Sequence, residues 1–382
     1  YGAENYNSSR IDTVRTQIAA LGPTPADGVA EAPEIAKRRA QLNEQLVQLQ
    51  APALEADEAY QRAVGLISEI DRVLRDRQAD ELLKLWPMPV NPANWPDAFA
   101  ALRKSGETIY TESAQRWNST LARNKLTGRL PVLIVLLVLA TAILWRGRRF
   151  IDRLTYRLQN RSTARGRQIL AFIASLGQVA VPVVGLDLLA RAMTLSGMMG
   201  IVGGVIVAGL PALGLIFFGA IWLGGRIFPA GQRADAAIKM SAEGRTEGRF
   251  LCGMLGALMA LDGLRQMAMD QLDMSEAANA VLSFPFIALT GVFLFRLGQL
   301  MAASAKMETR TDAALIFGAK IVGVIGRAAM VSGMLGPILG AIGYVTAGAE
   351  LVFSTTLTLA LAGLLSVMQR LVSSAYALIT RR

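Results

Sequence analysis

Leu130–Phe150 reads LPVLIVLLVLATAILWRGRRF. Residues 130–145 carry no charge, and Leu126 extends the apolar run upstream. At 1.5 Å per residue, such a run matches the ~30 Å hydrocarbon layer of a bilayer, so it reads as a membrane helix. It gives way abruptly to Arg146–Arg167, with eight arginines and a single acid, Asp152. A basic segment directly after a crossing is a positive-inside signal. It puts 146–167 in the cytoplasm and residues 1–129 on the other side, the periplasm of a Gram-negative cell. Phe150, Ile151, Leu154 and Leu158 share one helical face here. The segment therefore predicts a basic amphipathic helix at the inner headgroups, with Arg146, Arg148, Arg149, Arg153 and Arg157 at the lipid interface.

Further apolar runs follow downstream. With the first at 126–145, they fall at 168–190, 201–225, 250–267, 280–304, 313–335 and 338–368. The last is too long for one upright helix and predicts a tilted or frayed one. Loop charges test this reading independently. Segments 226–249 and 306–312 and the basic end with Arg370, Arg381 and Arg382 fall inside; 268–279, with Asp270, Asp273, Glu276 and no basic residue, falls outside. Seven crossings satisfy every loop. Residues 1–129 carry a net charge of −1 and residues 130–382 one of +11, so the overall +10 reads as a topology signal and not as a nucleic-acid footprint.

Several charges sit inside the runs. Asp187 and Arg191 are four apart, and Asp262 and Arg265 three apart, spacings that let each pair share a helix face and neutralise itself. Such pairs serve either as structural ties or in conduction or coupling. Glu350 is a candidate partner for Arg327. Arg191–Gly200 (RAMTLSGMMG) and Arg327–Gly336 (RAAMVSGMLG) share six of ten residues, which predicts a duplicated helical hairpin. The glycines of 197–204 and 333–343 predict close helix packing.

Upstream, residues 1–9 form a patternless tail and 10–125 a helical domain. After a short helix carrying Ile11, Val14, Ile18 and Leu21 comes the loop Gly22–Pro33. Then Leu42, Leu46, Leu49, Ala53, Ala56, Tyr60, Ala63, Ile67, Ile70 and Leu74 recur at alternating spacings of four and three. This is a heptad seam, packed either as an antiparallel hairpin within the chain or as a coiled coil between subunits. Pro52 is expected to kink or split it. Trp86–Pro96 (WPMPVNPANWP) has four prolines and reads as a packed corner that buries its tryptophans. A helix from Asp97 to about Lys125 follows, with Gly106 as its weak point.

The chain has no histidine and one cysteine, Cys252 in an apolar run, so histidine general acid–base chemistry and intrachain disulfides are excluded. Phosphate-cradling loops and zinc motifs are also missing from the sequence. No enzyme activity, cofactor or metal is therefore expected.

The fold class predicted is all-α, a periplasmic coiled-coil-like domain followed by a polytopic membrane domain, 126–382. IDTVRTQIAALGPTPADG, APEIAKRRAQLNEQLVQLQAPALEADEAYQRA, NPANWP and RGRRFIDRL together resemble the front portion of large bacterial mechanosensitive channels of the MscS type. Those channels carry an uncharacterised periplasmic domain and extra membrane helices ahead of the pore. The resemblance implies an inner-membrane protein, a ring of identical subunits, and release of ions and osmolytes on hypo-osmotic shock; the arginine segment itself implies contact with anionic lipid headgroups, and the charge distribution no nucleic-acid partner. The Ala/Gly-patterned pore helix and β-rich vestibule of that family do not occur here, so the chain resembles the part before the pore. Two alternatives from other classes are a transporter with a periplasmic accessory domain and a non-conducting membrane scaffold.

Overall fold

The computed structural model describes residues 8–23, 32–161, 167–229, 240–272, 274–306 and 313–380. Among them are ten α-helices, one 3-10 turn and no strand, so the all-α prediction holds. The chain divides into two compact units, 1–81 and 82–382.

In the first unit, α1 (Ser8–Ala20) precedes α2 (Pro33–Leu83), a helix of 51 residues and about 77 Å. Arg39 of α2 donates to the carbonyls of Gly22 and Leu21 at 3.1 and 3.3 Å. Val14 and Leu42 are buried, Leu46 and Leu49 half-buried. Further along the seam Tyr60, Ile67, Ile70 and Leu74 are exposed, so an intrachain hairpin covers only its beginning among the described residues. Pro52 does not split the helix. Proline removes one hydrogen bond, and the surrounding Ala, Leu, Glu and Gln are strong helix formers that carry the helix past it.

The second unit opens with the proline corner. Its 3-10 turn, Pro92–Asn94, is capped by the Asn91 side chain, which accepts from the Ala93 N–H at 3.1 Å. Helix α3 (Trp95–Asn118) runs unbroken through Gly106 and stops at Ser119, where the backbone turns extended. Then come α4 (Thr120–Arg161), α5 (Arg167–Leu195), α6 (Ile201–Ile227), α7 (Ala242–Met269), α8 (Glu276–Lys306), α9 (Ala313–Ala341) and α10 (Val345–Thr380). Each packs chiefly against its neighbour in sequence, and α10 also reaches α5, α6 and α8.

Six helices, α4–α6 and α8–α10, are long and apolar enough to cross a membrane. Helix α7 is 28 residues long but carries Glu243, Arg245, Glu247 and Arg249 at its start and Asp262 and Arg265 near its end. It nevertheless lies antiparallel along α6. A Cβ at Gly209 would meet Met267, at Gly263 Leu213, at Gly256 Ala220 and at Gly224 Cys252.

Three expectations shift. Residues 146–161 are not a helix apart from the first span, because α4 continues through them without interruption. Gly147, the only helix-weakening residue at the exit, is packed under Val181 of α5, and arginine is a good helix former. The division placed at 336–337 falls instead at Ile342–Tyr344, where Gly343 takes φ +109°, a left-handed value suited to glycine; Pro337 stays inside α9. The repeated decapeptides also differ: 191–200 unwinds at Ser196–Gly197 (φ +68° at Gly197), while 327–336 is helical throughout. They are not equivalent parts of a duplicated hairpin.

Candidate functional site

The segment Lys84–Asn118 forms a strap across one end of the membrane bundle, and three anchors hold it. Lys84 pairs with Glu276, the first residue of α8, at 2.8 Å. The Trp86 indole N–H donates to Thr346 Oγ1 at 3.1 Å, and its backbone N–H donates to the Gly343 carbonyl at 2.9 Å. The turn between α9 and α10 is thus gripped from above. A Cβ at Gly343 would sit 2.7 Å from the Trp86 carbonyl oxygen, so glycine is required there by backbone angle and by space. The third anchor is Glu112, whose side chain lies on Gly200, the N-cap of α6; a Cβ at Gly200 would overlap it. The Glu112 Oε2 is buried there without a hydrogen-bond partner among the described residues, so this contact rests on packing and on the partial positive charge of the helix N-terminus, with no cap hydrogen bond. Arg129 of α4 adds a long contact, 3.5 Å, to the carbonyl of Leu195 at the end of α5.

The first residues of α6, α8 and α10 therefore lie on the strap side. Helix α6 leaves that side and α8 starts from it, so α7 returns the chain between them. Of the predicted tryptophans, Trp86 is half-buried, whereas Trp95 is exposed and donates to the Pro89 carbonyl at 3.0 Å.

Both predicted charge pairs form. Asp187 and Arg191 meet at 2.6 Å with both side chains partly exposed. Asp262 and Arg265 meet at 2.7 Å with their side chains only 5% and 15% exposed. The second pair belongs to a closed network. Gln266 donates to the other Asp262 oxygen at 2.7 Å, and Arg265 donates to Asn279 Oδ1 of α8 at 2.8 Å. Low-dielectric surroundings strengthen such a network when each member has a partner. It ties α7 to α8 around the connecting turn.

The far end has ties that sequence reasoning missed. Glu247 of α7 binds Arg296 of α8 through two hydrogen bonds, one of 3.2 Å between Arg296 Nη2 and Glu247 Oε2. Arg226 of α6 donates to Ser175 of α5 and lies 5.3 Å from the Phe172 ring and 6.0 Å from the Trp222 ring. These pairs join residues 49 and 51 positions apart, and no local spacing signals them. The predicted Arg327–Glu350 contact does not form. Glu350 accepts from Ser354 Oγ at 3.0 Å, and Arg327, midway along α9, is exposed with no ion pair among the described residues. Of the arginines after the first crossing, Arg146 is exposed on α4, and the side chains of Arg148, Arg149, Arg153 and Arg157 lie outside the described residues.

Helices α8, α9 and α10 meet backbone to backbone. A Cβ at Gly333 would fall 2.6 Å from the Gly291 carbonyl oxygen, one at Gly298 2.5 Å from that of Gly326, and one at Gly348 2.5 Å from that of Gly336. Small residues allow this approach, the usual way helices associate in lipid, where no hydrophobic force drives them together. The packing expected of 333–343 is present; in 197–204, Gly197 and Gly204 have open space instead. Ile287, Leu294 and Val352, fully buried, fill the same junction.

The chain thus belongs to the class of multi-helix, membrane-span-capable proteins. Over residues 53–115, from the middle of α2 through the proline corner to α3, it is similar to a family described as a protein of unknown function, DUF3772. No curated protein and no solved structure matches it.

Proposed function

We propose that this chain is the peripheral, tension-sensing part of a mechanosensitive channel of the MscS type, seated in a bacterial inner membrane. Residues 10–125 are periplasmic, seven helices cross, and the C-terminal end is cytoplasmic. The observation that carries this reading is how much of the apolar spans stays uncovered. Between 11% and 39% of the most apolar stretch of each of the six spans is buried within the chain, so most of their surface is left for lipid or a neighbouring subunit. Tension favours the state of larger membrane area, and uncovered spans give it a large area to act on. The return of α7 between two helices that start at the strap supports seven crossings.

Two exposed features support a ring of identical subunits. Arg327 projects from the middle of an apolar span, where a charge is costly unless it faces protein or water. The seam of α2 from Tyr60 to Leu74 is uncovered within its unit.

The test uses the full-length gene product in patch-clamp. Converting Arg148, Arg149, Arg153 and Arg157 to Gln leaves Arg146, Arg161, Arg165 and Arg167 to hold the orientation. Each arginine near an anionic surface gains about 1 kcal/mol, so the expected result is a changed opening threshold at unchanged conductance. The change should shrink in bilayers without anionic lipid. Tension-independent current, or none at all, would refute the channel reading.

A further inference from the structure

At about 100° per residue, α3 divides into three sectors. Ala98, Ala101, Ser105, Ile109 and Glu112 make the first, buried or half-buried and docked on the bundle. Lys104, Glu107 and Thr111 mark a second, polar and exposed. Trp95, Phe99, Leu102, Tyr110 and Trp117 make the third, about 100° around from the docked one. Phe99, Tyr110 and Trp117 are 66%, 75% and 57% exposed, an uncovered aromatic stripe that runs the length of the helix.

The level of this stripe is fixed by the strap anchors. Glu112 rests on the residue before the α6 span, Lys84 binds the first residue of the α8 span, and Trp86 binds Thr346 at the start of the α10 span. The α4 span begins at Leu126, eight residues after α3 ends. Helix α3 therefore sits where the apolar spans begin. Arg123 donates to the Trp117 carbonyl at 2.8 Å with its guanidinium 6.0 Å from the indole ring, an aromatic–basic pair at the mouth of the first span. Tryptophan and tyrosine concentrate at the membrane–water boundary because their rings are apolar and their tips polar.

We propose that α3 is an interfacial helix: it lies in the headgroup layer on the strap side, with the Trp95–Trp117 stripe sunk to the acyl boundary and Lys104, Glu107 and Thr111 facing water. The occupant of the stripe is lipid. This requires the membrane placement of the apolar helices and is independent of any channel activity.

Spin labels test it on the full chain in nanodiscs of phosphatidylcholine and phosphatidylglycerol. Labels go at Phe99→Cys, Tyr110→Cys, Lys104→Cys and Thr111→Cys in a Cys252→Ala background. Collision with oxygen should dominate at positions 99 and 110, and collision with a water-soluble nickel chelate at 104 and 111, with oxygen-to-nickel ratios several-fold apart. Nickel-dominated collision at all four positions would overturn the proposal. So would exclusion of both reagents at 99 and 110 with dipolar broadening, which marks a second copy of the chain on the stripe. A second readout avoids labels. Brominated lipid carrying bromine near the headgroup should quench the native protein more than the Trp117→Phe variant; equal quenching would count against the proposal.

Discussion

Gly333→Ala adds one methyl group where α8 and α9 meet backbone to backbone. The new Cβ would lie 2.6 Å from the Gly291 carbonyl oxygen and 2.7 Å from the Phe295 backbone nitrogen. Both contacts are backbone atoms of α8, so no rotamer change relieves them. Ordinary contact begins near 3.4 Å, so the helices must part locally by the difference, about 0.8 Å. A gap of roughly that size forfeits a quarter to a half of the dispersion energy between facing atoms. Overpacking of this kind costs about 1–3 kcal/mol, against a gain of up to about 1 kcal/mol from alanine's better helix propensity. The net expectation is a loss of about 1–2 kcal/mol. Gly219→Ala in α6 is the matched control, because nothing lies within 4 Å of its Cβ position. Titration with SDS in mixed micelles, followed by circular dichroism, should lower the unfolding midpoint for Gly333→Ala and leave or raise it for Gly219→Ala. Equal midpoints would mean that α8 and α9 are not packed backbone to backbone.

Asp262→Ala should destabilise by about 3–5 kcal/mol in the same titration, because it strands a buried guanidinium; the double change Asp262→Leu with Arg265→Met should recover much of the loss. A double variant no better than the single one would show that the network, and not the stranded charge, sets the cost. Leu42→Ala should cost about 2–4 kcal/mol in thermal melts of the helical signal, since that side chain is 3% exposed. Ile67→Ala should cost almost nothing in dilute detergent and lower the size of any oligomer seen by light scattering, being exposed within its own chain. For topology, a thiol reagent added outside intact cells should modify Ser275→Cys and spare Thr246→Cys; the reverse pattern would invert the orientation.

The elements readable in advance were those with a local cause. Long apolar runs and the i, i+4 spacing of Asp187 and Arg191 are properties of one segment, and the structure realises them. Apolar length located α7 as a helix although its terminal charges leave it outside the six most apolar spans. Charge pairs between helices were not readable. Glu350 was matched with Arg327 by sign and rough depth, yet it binds Ser354 one turn along its own helix. Glu247 with Arg296 depends on how α7 is staggered against α8. The decapeptide similarity also misled, because Gly197 turns left-handed at a helix end while Gly333 keeps helical geometry, pinned between two backbones.

The grip of Trp86 on the α9–α10 turn has a consequence for biosynthesis. Its partner Thr346 lies 260 residues later in the chain. Chains emerge at roughly 5–20 residues per second, so Trp86 waits some tens of seconds for Thr346 to be made and inserted. Until then the proline corner has no turn to hold, and its apolar face is open to chaperones and proteases. Closure of the strap therefore waits for the start of α10, and the protease resistance of the Trp86–Trp95 segment in pulse-labelled cells marks the moment the α9–α10 turn is made and docked.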